Sequence, residues 1–281
     1  MMQSSNIVVM VRPGTFRSNE ETMVNNVYQN ASQAISPEED LQKAQEEFDA
    51  LVNVLKVENV RVAVVQDTDI VDTPDAIFPN NWISFHEGVG REESSIIIYP
   101  LFAVNRRRER LNFTNIKELL IKDYLFPLDT YKFIDFTASE NENDTDTASF
   151  LEGTGSLVLD RIHRIAYAAL SPRTDVNLVL KWCDDFQYKP MAFTAMQTLT
   201  LTMERIGTYA NNSREEKESE KENRIYHTNV MLAIGTSWAV LCKECIPNDA
   251  EQADVIASLE ATHEIVYISK EQVNCFCGNL L

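Results

Sequence analysis

The order in which strand-like and helix-like segments alternate limits what this chain can fold into more than any other feature. β-rich apolar runs recur at residues 7–11, 60–65, 95–102, 131–136, 156–169 and 230–241, with a short one at 265–268. Helix-period segments separate some of them. In residues 37–55, Leu41, Ala44, Phe48, Leu51 and Leu55 fall on one face. Ser36 can cap that helix, Pro37 suits its first position, and Glu39 stands where a capping-box carboxylate reaches back. Asn248 followed by Glu251 repeats the signature before a helix over 249–260, and weaker patterns predict helices over 108–123 and 174–186. Strand-to-strand steps are thus mixed with strand-to-helix steps. That order argues against an all-parallel doubly wound sheet and for a mixed α/β, repeat-built architecture, with no strict sequence repeat.

With 281 residues, 44% of them hydrophobic, the chain can bury a sizeable core, and it reads as a single catalytic domain over residues 1–281. Two segments look like solvated insertions: 140–147 is acidic and polar, and 211–223 is a charged run without an apolar residue. The net charge of −18 repels nucleic acid and anionic membranes, so neither is expected as a partner. No stretch approaches the roughly 20 apolar residues of a membrane span, and the N-terminus is polar. A cytoplasmic protein is expected. Its five cysteines, an odd set without a secretory signal, are expected to be reduced.

Several short motifs could carry chemistry. His227, in Tyr226-His227-Thr228-Asn229, opens an apolar strand, where an imidazole can accept and donate a proton; taken alone, it reads as a structural hydrogen-bonding residue. His86, His163 and His263 read as structural or surface residues. Leu151-Glu152-Gly153-Thr154-Gly155-Ser156 is a glycine-containing turn in which Glu152 could orient an imidazole or hold a cation. It lacks the third glycine and the lysine of a phosphate loop. Near the C-terminus, Cys275 and Cys277 offer a nucleophile, with Gly278 leaving access open. A rival is a structural zinc on Cys242, Cys245, Cys275 and Cys277, although a second Cys-x-x-Cys would be its expected partner. Arg106, Arg107 and Arg173 follow apolar strands and could grip a carboxylate, whereas Arg108 and Arg110 read as a solvated helix start. Phe78-Pro79-Asn80-Asn81-Trp82 is turn-rich, and its amides could bind a planar urea or amide.

Taken together and in this order, the motifs resemble the guanidine-modifying enzyme superfamily of arginine deiminases, dimethylarginine dimethylaminohydrolases and amidinotransferases. The similarity runs from Val11-Arg12-Pro13 to the last residues, and Phe-Pro-Asn-Asn-Trp, Leu-Glu-Gly-Thr-Gly-Ser and Tyr-His-Thr-Asn-Val resemble the citrulline-hydrolase-like branch most. The resemblance implies a five-bladed α/β propeller (pentein) of ββαβ-type units with the active site in a central channel. It implies Cys277 as nucleophile, His227 as general acid/base and Glu152 as the acid of the family's turn. It further implies Arg173 on the substrate α-carboxylate, with Arg106 or Arg107 as the second carboxylate arginine, and Phe78 and Asn81 lining the substrate. No metal or organic cofactor is implied, and a homodimer is left open.

Guanidinium-binding members carry aspartate where this chain has Asn81, and many carry His-x-Asp where it has Asn229. An amide complements a neutral group, while a carboxylate pairs with a cation. The expected activity is therefore hydrolysis of a C–N bond in a ureido or guanidino amino acid, citrulline first. Alternatives are an arginine or dimethylarginine hydrolase, an amidinotransferase, or a non-catalytic amino-acid-binding or interaction member of the same fold. The family's pattern also continues as a strand beyond Leu280-Leu281, where four residues follow Cys277 in this chain.

Overall fold

The two longest apolar runs of the sequence each make two strands rather than one. The computed structural model describes residues 2–5, 7–29, 36–68, 70–88, 93–141, 147–199 and 221–280. The run at 156–169 becomes a helical turn, then β6 (Val158–Asp160) and β7 (Ile165–Ala169), joined through a turn that ends on Arg164 at φ 57°. The run at 230–241 divides into β11 (Leu232–Ile234) and β12 (Trp238–Leu241) around Gly235.

The remaining strands are β1 (Ile7–Arg12), β2 (Arg61–Gln66), β3 (Ile83–His86), β4 (Ser95–Ile98), β5 (Lys132–Asp135), β8 (Lys189–Phe193), β9 (Met196–Leu199), β10 (Lys221–Arg224) and β13 (Glu264–Tyr267). The helices are α1 (Glu20–Met23), α2 (Pro37–Val57), α3 (Phe113–Tyr124), α4 (Gly153–Ser156), α5 (Val176–Phe186), α6 (Asp249–Glu260) and α7 (Lys270–Asn274). Among the described residues these strands form five separate sheets. In three of them the first two strands pair antiparallel and the second and third pair parallel: β3-β4-β5, β6-β7-β8 and β11-β12-β13. A helix, α3, α5 or α6 respectively, crosses between the second and third strand. Each is a ββαβ unit, and the α/β class read from the element order holds.

Central strands β4 and β7 are buried along almost their whole length, as strands covered on both faces must be. Helix α2 starts where its capping signature predicts, with the Ser36 hydroxyl accepting from the Glu39 amide at 3.3 Å. Its buried stripe is Phe48 and Val52, packed with Val62, Val8 and Leu55, whereas Leu51 points to solvent. Asn248 caps α6 by accepting from the amides of Ala250 and Glu251.

Two expectations of solvated loops are corrected. Glu140 is buried: its carboxylate accepts from the Leu101 amide at 2.7 Å and pairs with Arg110 and Arg107. Arg110 accordingly is no solvated helix residue, and it also donates to the Tyr99 carbonyl at 2.9 Å; Arg108 is exposed as expected. Residues 221–223 of the second segment belong to β10, paired antiparallel with β9. Residues 142–146 and 211–220 lie outside the described residues.

His86, read as structural, stands in a buried network. Its Nδ1 accepts from Arg161 at 3.3 Å, which leaves Nε2 as donor to Ser84 Oγ at 2.8 Å, and Ser84 in turn meets Tyr99 Oη at 2.8 Å. Burial first, then the charges of Arg161 and Arg164, hold its pKa down at about 3. In the unfolded chain the imidazole takes up a proton near 6.5. Between these values the unfolded state binds the extra proton, so stability falls as pH drops from about 6.5 to about 3. The loss is on the order of 4 kcal/mol. Urea unfolding at pH 7 and pH 4 should show a flatter dependence for His86→Gln; equal slopes in both proteins would rule this origin out.

Candidate functional site

The glycine-containing turn is pinned before it presents anything. The amide of Glu152 donates to the Arg173 carbonyl at 3.2 Å, and Ser156 Oγ donates to that same carbonyl at 2.9 Å while accepting from Thr174 Oγ1 at 2.8 Å. Gly153 takes φ +47°, and a Cβ there would meet the Asn80 carbonyl oxygen at 2.2 Å. Only glycine lets the 152–156 turn lie this close to the Asn80-Asn81 backbone. The turn places Glu152 in the interior, fully buried, with its carboxylate accepting from the Phe102 amide at 2.9 Å.

Three basic groups surround that carboxylate. His227 Nε2 lies 2.7 Å away, Arg173 Nη1 3.4 Å and Arg106 Nη1 3.9 Å. Burial pushes the Glu152 pKa up, but Arg173, His227 and Arg106 together outweigh it and hold the carboxyl well below the usual range. For His227, burial dominates over the pull of Glu152 and lowers the imidazole pKa below its ordinary value. The ring is therefore neutral near pH 7, with its proton on Nε2, donated to Glu152, and its lone pair on Nδ1. That nitrogen lies beside Gly155, where a Cβ would come within 2.7 Å of it and 2.5 Å of Asn81 Nδ2. Two side-chain nitrogens thus converge over one glycine.

Arg106 does not reach toward a ligand. Its Nε and Nη2 are held by both oxygens of Glu109, at 2.7 and 3.0 Å, and its Nη1 donates to Asn81 Oδ1 at 2.9 Å. Glu109 and Asp75, at 3.8 Å, outweigh the cost of burial and keep the guanidinium charged. Since arginine has no acceptor, the Asn81 oxygen must face it, and the Asn81 NH2 faces away. Arg106 therefore orients Asn81, with its donors engaged by side chains and carbonyls of the chain itself. Arg173 is similarly engaged: Nε donates to Asn25 Oδ1 at 2.8 Å and Nη2 to the Thr22 carbonyl at 2.9 Å, and the guanidinium stacks over Tyr226 at 5.0 Å.

Asp75, Asn19, Thr22, Asn25 and Glu109 are structural partners that the sequence reading missed. Asp75 accepts from Asn19 Nδ2 at 2.7 Å and Gln29 Nε2 at 3.1 Å, fixing the segment around α1 against the arginines. Glu109 follows Arg106 at helical spacing and was open to discovery on that ground. Asn25 carries no local signal of its role.

A cavity of about 870 Å³ opens over this network. His227, Asn81, Asn229, Arg106, Arg173 and Phe78 all line it, and Glu152 lies directly behind. Two expected residues are elsewhere. Arg107 donates to the Leu101 carbonyl and pairs with Glu140 outside the lining. Cys277 and Cys275 are both exposed, and the lining reaches the neighbouring Phe276, Asn279 and Leu280 rather than either thiol. The turn that carries Cys277 is nevertheless seated closely. A Cβ on Gly278 would fall 2.4 Å from the Val230 carbonyl oxygen, and Phe276, at φ 60°, packs its ring 4.5 Å from that of Tyr28.

The four thiols of the zinc rival do not gather among the described residues: Cys242 and Cys245 are buried with sulfurs 3.1 Å apart, away from any third ligand group. Among the described residues no helix is long and apolar enough to cross a membrane.

Comparisons with known proteins agree with this picture. The model of the family N,N dimethylarginine dimethylhydrolase, eukaryotic, matches residues 12–281. No curated protein sequence matches the chain. Among solved structures, the N-terminal domain of ArgZ bound to product, an arginine dihydrolase from the ornithine-ammonia cycle in cyanobacteria, superposes with a TM-score of 0.65 at 13% identity. That match covers 98% of this chain and 79% of the other. The complex of AgrE with ornithine and NAD+ gives a TM-score of 0.64 at 14% identity, covering 98% of this chain and 32% of the other. At such identities the likeness is one of fold.

Proposed function

The chain belongs to the N,N dimethylarginine dimethylhydrolase family, eukaryotic, and on that footing we propose that it hydrolyses a C–N bond at the ureido or guanidino end of an arginine-like amino acid. The observation that carries this reading is the neutral His227, its Nε2 fixed by Glu152 at 2.7 Å and its Nδ1 turned toward Gly155 and Asn81. A general base must be unprotonated, oriented and within reach of the reacting atoms, and the first two conditions are met here. In this reading the five sheets are blades of a propeller around the cavity.

Cys277 is the nucleophile. His227 Nδ1 takes the thiol proton as the sulfur bonds the ureido or guanidino carbon. The imidazolium returns that proton to the leaving nitrogen as the C–N bond breaks. Water then gives a proton to Nδ1 while its oxygen bonds the same carbon, the C–S bond breaks, and the thiolate recovers the proton. Asn229 and Phe78 border the substrate.

Asn81 bears on which end group is preferred. With its oxygen held by Arg106, it offers a donor, which a ureido carbonyl accepts and a guanidinium, itself only a donor, does not. A neutral substrate such as citrulline is therefore placed first. The family match favours a methylated arginine as the second reading.

Incubation with citrulline, arginine and dimethylarginine, with assay of ammonia, methylamines and ornithine, separates these. Citrulline should be consumed fastest, Cys277→Ser should abolish turnover, Cys275→Ser should not, and Asn81→Asp should shift relative kcat/KM toward arginine. Faster turnover of dimethylarginine by the unaltered protein would overturn the ureido preference. No turnover of any of the three, with Cys277 unlabelled by a haloacetamidine, would identify a non-catalytic member.

A further inference from the structure

Away from the cavity network, one cluster of side chains is built like a ligand set and has no use in the reaction. Asp160 ends β6, His163 stands in the turn that follows, and His263 immediately precedes β13. One donor atom from each lies within 4.8 Å of the others. The Asp160 carboxylate is fully buried and meets His163 Nδ1 at 2.8 Å. His263 Nε2, on a side chain only 1% exposed, lies 3.9 Å from Asp160 Oδ2, beyond hydrogen-bond reach, and has no partner among the described residues. A buried polar atom aimed at a carboxylate and bonded to nothing calls for an explanation.

The other nitrogen of His263 supplies one. Nδ1 stands 2.8 Å from Thr262 Oγ1, and when it donates there, the Nε2 lone pair points into the cluster. A histidine whose second nitrogen is fixed by an oxygen acceptor is the usual arrangement of a metal-bound imidazole. Two imidazoles and one carboxylate form a donor set of the zinc type, with room for a water as fourth ligand, because His163 is exposed. Tetrahedral binding at about 2.0–2.1 Å sets donor atoms roughly 3.3 Å apart. The pair at 3.9 Å would close slightly, and the pair at 2.8 Å would open slightly.

We propose that Asp160, His163 and His263 form a binding site for a divalent transition cation of the zinc class, separate from the cysteines. The ion would tie the β6-β7-β8 sheet to the β11-β12-β13 sheet. Its position is structural with respect to the proposed reaction, so the site stands or falls independently of it.

Titration of chelator-treated full-length protein with Zn2+ and Co2+ tests the site. The expected result is one equivalent bound, a Co2+ spectrum without thiolate charge-transfer bands, and a Tm raised by Zn2+. His163→Gln, in an exposed turn, should retain its metal-free Tm, weaken Zn2+ binding by about tenfold or more and lose the Tm shift. The double variant Cys275→Ser, Cys277→Ser should bind as the unaltered protein does. Equal affinity in His163→Gln, loss of binding in the cysteine double variant, or no binding at millimolar metal would each overturn the proposal.

Discussion

Glu152→Gln is expected to destabilise the protein by about 3–5 kcal/mol and to lower turnover by about a hundredfold or more. The carboxylate is the charge around which Arg173, Arg106 and the His227 ring are arranged, at 3.4, 3.9 and 2.7 Å. An amide keeps the volume and can still accept from the Phe102 amide, so packing is not the issue. What disappears is the negative charge between two guanidiniums that are each only 2% exposed. Arg106 keeps Glu109 as a partner, but Arg173 is left with the neutral oxygens of Asn25 and Thr22. Breaking a buried pair from one side costs more than the pair contributes when intact, because the remaining charge is stranded. Catalysis suffers separately: Nε2 of His227 loses the partner that fixes its tautomer. Urea midpoints and kcat, measured together, check both effects. A variant within about 1 kcal/mol of the parent, with full activity, would show that Glu152 does not hold the site together.

A comparable loss is expected from Gly153→Ala, by a different route. The substitution forces an alanine into φ +47° and brings its Cβ to 2.2 Å from the Asn80 carbonyl, a backbone atom that cannot swing aside. The strained backbone costs about 1–3 kcal/mol, and the displaced 80–81 peptide adds to it, so unfolding at denaturant concentrations well below those of the parent is predicted. Gly155→Ala is the informative contrast. No left-handed backbone is forced there, and its Cβ would press on the held Asn81 and His227 side chains rather than on backbone, so the variant should lose less stability than Gly153→Ala and lose activity by displacing those two side chains. If the two alanines behaved alike in denaturation, the turn would not be clamped as described.

The sequence made the site's membership more legible than its wiring. His227, Glu152, Asn81, Asn229, Arg173, Arg106 and Phe78 do come together, because they fall in short motifs whose residue types are distinctive. The partners of the arginines were not legible, since a guanidinium that follows a strand reads as free until its partners are known. Those partners can be remote: Asn25 is 148 positions from Arg173. The fold shows the same division. Strands β4, β7 and β12 are apolar and were evident. By contrast, β8 contains Pro190, and β10 reads Lys-Glu-Asn-Arg, so neither presents the alternation that marks a strand. The turn inside residues 156–169 was legible in principle, since Asp160-Arg161-Ile162-His163-Arg164 is a polar break between the apolar flanks Val158–Asp160 and Ile165–Ala169, but it carries no glycine, proline or asparagine to mark it.

The Tyr28 hydroxyl donates to Gln197 Oε1 at 2.9 Å and to the Val273 carbonyl at 3.4 Å, the latter across 245 positions of sequence. His227 and Glu152 are 75 positions apart. Each ββαβ unit can form from neighbouring segments, but such pairings require closing very long loops first, and loop closure is an entropic cost met before any contact offsets it. Folding should therefore run in two stages, with the individual sheets acquiring protection from hydrogen exchange early and the network around Glu152 last. A molecule can be largely ordered in its sheets and still have no site.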